Sequence, residues 1–375
     1  MLVIFALGSN GSGQLGIGHN EDVSVPKQVD FHPDITSPPS SLAKIAAGGN
    51  HTLLLSTAGE LYWSGDSSTG ACGKVTPEQR SLPPQFQAVD LPFQEAVGHA
   101  AATWEASIIT RLDSQGEATK VYTFGAGTKG ELGLGDFIVR TPTPSEIPNF
   151  PPPDTHVVDL AACMGHVVAV LSNGEAWGWG NGRKGQLGAP DSVIVNSPRK
   201  IIAADVGGFH VARAVCGREF TCLFGAPGSG DICVLGSDKW DVKAGAPSRV
   251  PDWEDVGAGW GNVFVLAKEG GLVSWGRDDH GQIAPAELTA GAGARVRRIA
   301  VGSEHALALS EDGEVTAWGW GEHGNCGPIG KKTDDTAKKG QKNAIASSKF
   351  IPPGSEITAI GAGCATSWVA IEIPT

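Results

Sequence analysis

The sequence is poor in tyrosine and methionine, with 2 of each among 375 residues. It is also poor in positive charge, with 28 Lys and Arg against 40 Asp and Glu. The formal net charge of −12 removes the electrostatic term that drives binding to phosphate backbones, so direct nucleic-acid binding is not expected. No apolar run reaches the ~18–20 residues that cross a bilayer as a helix, so no membrane contact is expected. The apolar opening MLVIFALG lacks a basic flank and is shorter than a signal-peptide core; it reads as a strand. The 7 cysteines are odd in number and contain no C-x-x-C pair, which fits a reducing compartment. These absences predict a soluble intracellular protein, cytoplasmic with a nuclear pool allowed. No nucleophile elbow, Walker loop or HExxH occurs, so neither an enzyme nor a cofactor is expected.

What is abundant is glycine, at 53, proline, at 24, and tryptophan, at 11. Glycine mixed with Val, Ile, Leu and Trp points to short strands joined by tight turns. One unit recurs, seen in IAAGGNHTLLLSTAGELYWSG from Ile45, LAACMGHVVAVLSNGEAWGWGNGRKGQLG from Leu160 and IAVGSEHALALSEDGEVTAWGWGEHGNCG from Ile299. Each unit is a short apolar strand, a turn of small residues, a second strand opening at a histidine, a glycine turn, and a third strand ending near Trp-Gly. A glycine-rich tail of the form G-x-x-x-x-G-Q-L-G follows. The leading glycines of these tails read as Gly8, Gly65, Gly125, Gly180, Gly236, Gly276 and Gly321, at spacings of 40 to 60 residues. Such periods suit propeller blades of four strands.

The chain opens on the third strand of a unit and closes on the first two strands of one, ITAIGAGCATSWVAIEI. The expected fold is therefore all-β: a single seven-bladed β-propeller over residues 1–375, closed by pairing of N- and C-terminal strands in one blade. Two insertions interrupt it. Residues 136–154 carry six prolines and read as an extended loop. Residues 329–349 carry six lysines against two aspartates and read as solvated and mobile.

The GxxHTxxL…DGxxxxWGxNxxGQLG pattern resembles the repeats of the regulator of chromosome condensation superfamily. Fold alone does not carry function, so departures from the repeat are more informative. The template histidines His51, His166 and His305 read as half-buried turn residues. The third-strand tryptophans Trp63, Trp177, Trp275 and Trp318 read as core. The position before the histidine holds Glu105 and Glu304, and the one before that holds Trp104 and Trp260. Turn tryptophans beside acidic groups suit a protein-binding surface, or else fold over the channel mouth. His323 and Cys326 are spaced H-x-x-C, but a zinc site needs four ligands and no second pair lies near, so no metal is expected.

The segments GSEHALAL (302–309), WGWGEHGNCGP (318–328), GAGCATSWVA (361–370) and the opening ALGSNGSGQLGIGHNED are similar to the fungal alpha-tubulin suppressor, or killer-toxin-insensitivity, family. That resemblance implies a non-enzymatic adaptor for a small electron-carrying CSL-type zinc/iron protein. The heterodimer would support diphthamide synthesis on elongation factor two and Elongator-dependent wobble-uridine modification of transfer RNA, with Elongator engaged indirectly. Motif and template departure together put partner contact at Trp104, Glu105, Trp260, Glu304, His305, Glu322, His323, Asn325 and Trp368, of which Trp368 aligns with a strand position. The alternative within the superfamily is a guanine-nucleotide exchange factor for a Ran-like small GTPase. Chromatin-linked members carry a basic tail, which this chain is expected to lack.

Overall fold

The computed structural model describes all residues except 192, 290–294, 329–340 and 375. Among the described residues it is all-β apart from two four-residue helices and short 3-10 turns, and no helix there is long and apolar enough to cross a membrane. Antiparallel meanders stand around a central channel. In each, an inner strand lines the channel, a middle strand is buried over most of its length, and a third strand leads outward. His51–Ser56, His166–Leu171 and Asn262–Ala267 are such middle strands, buried at every residue. They are apolar without alternation because both faces of each sheet pack against neighbouring sheets. The hydrophobic core is accordingly split into wedges between sheets, one built on Ile4, Leu15, Phe86 and Trp368 and another on Phe264, Leu266, Ala308 and Trp318.

The expectation of seven separate blades is overturned. Five sheets of three or four strands stand singly, whereas the strands from Val97–Ala102 through Val193–Lys200 form one continuous eight-stranded sheet. The reason is local. The third strand Ala118–Ala126 runs for 9 residues, and its first residue, Ala118, reaches far enough to pair with Val157 of the next inner strand. Two sheets stop at three strands, because the segments after Gly236 and Gly276 run partly as 3-10 turns rather than as strands. Residues from both ends of the chain share one four-stranded sheet, where Leu2–Gly8 pairs antiparallel with Thr366–Glu372.

The insertions differ from expectation. Within the proline-rich segment, Arg140–Glu146 is a strand paired with Ala118–Ala126, and Pro142 and Pro144 fall in the register shift between Thr141 and Ser145. A proline has no amide to give a ladder, so the irregularity is where it can sit. Of the lysine-rich segment, residues 329–340 lie outside the described residues, and Gln341–Ser347 is an ordered strand paired with Glu314–Gly319.

The repeat motif has a packing reason at each position. A Cβ at Gly302 would lie 2.3 Å from the His305 ring, and one at Gly48 would lie 2.2 Å from the His51 ring, so the turn must be glycine where the imidazole tucks beneath it. His51 Nε2 then meets Ser107 Oγ at 3.0 Å, His166 Nε2 meets Thr221 Oγ1 at 3.0 Å and His305 Nε2 meets Ser367 Oγ at 2.9 Å. Each bond joins one meander to the next. Ser107 and Ser367 in turn donate to the tail carbonyls of Ala71 and Asn325 at 2.7 and 2.8 Å. The third-strand indoles of Trp179, Trp275 and Trp318 donate to carbonyls of the preceding tails, Glu131, Val242 and Gln282. The buried equivalent in the Trp177 unit is thus Trp179, while Trp177 is half-buried.

Candidate functional site: a tryptophan-lined face

The channel mouth is built by the turns between inner and middle strands. In every unit the residue after the leading glycine donates its N–H to the carbonyl of the turn residue before the histidine position, as in Asn181 to Gly165, Arg277 to Gly261 and Trp320 to Glu304. The turns and the starts of the tails therefore share one face. Backbone bonds also run from turn to turn around the channel: Gly49 N–H to Trp104 O, Trp104 N–H to Met164 O, Arg218 N–H to Trp260 O and Trp260 N–H to Ser303 O. Peptide groups at this position are used up in linking neighbours, which leaves the side chains to present a surface.

Trp104 and Trp260 both line the channel cavity and pack on each other, with ring centroids 6.1 Å apart and planes at 46°. The two alternatives for these residues therefore coexist: they fold over the mouth, yet Trp104 stays 37% exposed. Gly49 gives Trp104 its seat, since a Cβ there would lie 2.6 Å from the indole. The Arg218 guanidinium sits 5.4 Å over the Trp260 ring, a cation–π contact. From Trp260 the patch continues through Gly261, against which Trp240 packs. Trp240 is 41% exposed and has a left-handed backbone, φ 69°. The Arg277 guanidinium lies 4.8 Å over its ring and is fixed by Asp279 at 2.6 and 2.9 Å and by Glu304.

The remaining expected contact residues divide into two groups. Glu105, Glu322 and His323 are exposed on this face, with His323 Nδ1 2.9 Å from Asp22 Oδ2. The others are corrected. Glu304 is buried against Arg277, and burial raises its carboxyl pKa despite the guanidinium. His305 is buried and bonded to Ser367. Burial pulls its pKa down to about 4, as it does for His51 and His166. Asn325 is buried, donating to Trp320 O at 2.9 Å. Trp368 is fully buried in a core wedge. These four hold the fold, so they present no contact surface.

Trp320 is the residue that the sequence pattern concealed. Gly319, φ 111°, pairs with His305 as Gly180 pairs with His166. The leading glycine of that tail is thus Gly319, not Gly321. WGWGEHGNCG then aligns without a gap on WGNGRKGQLG from Trp179, and the tail is not shortened. Trp320 takes the place of Asn181. It is 40% exposed and stacks on His280 at 5.5 Å and 25°. The equal lengths of the two stretches were the available signal. Trp240 and Arg277, by contrast, had no motif.

Among the described residues, no group of three or more His, Cys, Asp or Glu is placed to hold a metal. Cys163, at the channel wall, is pushed up to about 12 by burial.

The RCC1-like domain profile matches residues 3–369. An RCC1 repeat-containing protein of Schizosaccharomyces pombe is 31% identical over 389 residues, covering 99% of this chain and 99% of that protein. The secretion-regulating guanine nucleotide exchange factor of Bos taurus is 27% identical over 299 residues, covering 75% of this chain, and the match spans 61% of that protein. Among solved structures, Prp20p from Saccharomyces cerevisiae, described with its binding to Gsp1p and histones, superposes with a TM-score of 0.78 at 21% identity, over 100% of this chain and 92% of that one. At that identity the superposition speaks for the fold alone.

Proposed function

The chain belongs to the RCC1-like domain family, and on that premise we propose that it works by docking a small protein on its tryptophan-lined face, without covalent chemistry of its own. The observation that carries this is the continuous patch of Trp104, Trp260, Trp240 and Arg277, with three of the chain's exposed large hydrophobics, Trp104, Trp240 and Trp320, on one face. Trp and Arg are the side chains that dominate binding hot spots, and exposed aromatics cost free energy unless something covers them.

Two partners fit. The reading that the relatives' names support is nucleotide exchange on a Ran-like small GTPase, since one relative is named as an exchange factor and the Prp20p structure is described with Gsp1p binding. A rigid aromatic face flanked by Glu105 and Glu322 would hold a nucleotide-depleted GTPase and repel the phosphates of an incoming nucleotide. The second reading is the adaptor for a CSL-type zinc protein that serves diphthamide synthesis and Elongator-dependent modification. It is favoured by one observation: Glu322 and His323, in a stretch that carries that resemblance, lie on the same face as Trp104 and Trp260. In that case the aromatic face would cap part of the metal site and limit access of solvent and wrong redox partners.

Two assays with purified components test the proposal. Release of fluorescent GDP from a Ran-type GTPase, accelerated by catalytic amounts of the protein, supports exchange. Calorimetric one-to-one binding of a CSL-type zinc protein, with no acceleration of GDP release, supports the adaptor. Failure of both assays removes the docking reading for these partners.

A further inference from the structure

The opposite end of the channel carries a different chemistry. The residue seven positions before each turn histidine, or its counterpart, holds an equivalent place on every inner strand. These residues are Lys44, His99, Asp159, Arg213, Asp255, Arg298 and Ala359, and all line the one cavity of ≈ 540 Å³. In most of these strands a register shift immediately precedes the position, as between Leu42 and Lys44, Val157 and Asp159, Val296 and Arg298, or Ile357 and Ala359. Bulges re-aim side chains, and here they recur beside a common position of the channel wall. At about 3.3 Å per residue, the ring sits some 16 Å from the tryptophan turns, so it is reached from the other face.

The ring is polarised. On one arc Arg213 lies between two carboxylates, 3.5 Å from Asp159 and 3.4 Å from Asp255, and its charge is spent on them. Asp159 further accepts the Ala214 N–H at 2.8 Å. On the other arc Arg298 and Lys44 flank Ala359, the smallest residue of the ring. Among the described residues, neither of the two cations makes an ion pair within 4.0 Å. The next member, His99, is held below its ordinary pKa by burial and stays uncharged. Two free positive charges thus face a concave wall in a protein whose net charge is −12, over a gap left by a methyl side chain. Low-dielectric walls focus such a field.

We propose that this arc of the channel binds a phosphate group, seated over Ala359 between Lys44 and Arg298. Phosphate, at roughly −1.5 to −2 near neutral pH, matches the charge of the two side chains. The guanidinium fork pairs with two of its oxygens, while the ammonium supplies a point charge. The site stands apart from the tryptophan face, so the inference does not rest on the docking proposal.

Calorimetry of the intact protein with inorganic phosphate and with phosphoserine, at constant ionic strength, tests it and separates a free phosphate from a monoester. The expected result is saturable one-to-one binding of at least one probe. Lys44→Gln and Arg298→Gln should each weaken it roughly 10- to 100-fold, the range for loss of a charge-assisted bond. Ala359→Asp, which places a carboxylate between the cations, should abolish binding while raising the melting temperature. Absence of saturable binding by both probes overturns the site. So does binding that survives Ala359→Asp.

Discussion

His323 Nδ1 lies 2.9 Å from Asp22 Oδ2, a contact between residues 301 apart in the chain. Asp22 is itself anchored, its other oxygen accepting the Asn10 N–H at 2.7 Å. Two of the four stretches on which the narrower resemblance rests, the opening tail and EHGNCGP, therefore meet at one point of the tryptophan-lined face. A charged rim beside aromatic anchors sets partner choice and on-rate more than affinity. The predictions below separate the anchors from the frame.

Trp104→Ala combined with Trp260→Ala should weaken partner binding by about 2 kcal/mol or more, the cost of truncating a hot-spot aromatic. Trp104 is 37% exposed, so its loss leaves the core intact. The dissociation constant measured by calorimetry decides: an unchanged value places the partner elsewhere.

Trp320→Asn installs the residue that Asn181 supplies at the equivalent position. Folding stability should stay within about 0.5 kcal/mol of the parent, as for ordinary surface changes, while partner affinity falls. Equal affinity in the variant and the parent would confine the contact to the channel mouth.

Acid should unfold the protein early. His51, His166 and His305 have pKa values near 4, against an ordinary 6.5, because burial disfavours their charged form. The unfolded chain takes up protons first, so the stability these residues contribute is complete above pH 6.5 and is lost as pH falls toward 4. At 1.36 kcal/mol per unit, each is worth roughly 3 kcal/mol across that window. His166→Asn, using the residue found at Asn262, should flatten the acid limb of a melting-temperature profile. An unaltered limb would mean that other groups cause the acid loss.

Deleting residues 357–375 removes the strand that pairs with Leu2–Gly8 and strips Ile4, Leu15 and Phe86 of their contacts in the core wedge with Trp368. Loss of the cooperative transition in calorimetry is expected. Trp368→Ala alone should cost about 3–5 kcal/mol. A deletion variant that melts like the parent would show that the remaining sheets are stable without it.

Much of the fold was legible because it is local and repeated. The histidine, the glycine before it and the Trp-Gly strand end each answer to a contact that recurs in several units, so their periods show through the sequence. The division into sheets was not legible. Ala118 pairing with Val157 depends on one strand running a few residues longer, which no repeat period records. The site was half legible. Trp104, Glu105 and Trp260 stood out as departures from the template, whereas Trp320 was hidden by an alignment two residues out of phase.

The sequence by itself determined an all-β repeat chain with strands, turns and tails in a set order, because backbone conformation and burial pattern are encoded within each unit. It also determined an acidic surface average. Only the tertiary structure decided which side chains are free. Glu304, His305 and Trp368 are consumed by contacts with distant segments, Asn325 is buried and bonds within its own tail, and Trp240 and Arg277 are brought to Trp260 by packing around Gly261. Burial and proximity depend on residues far apart in the chain, and those distances exist only once the sheets have assembled around the channel.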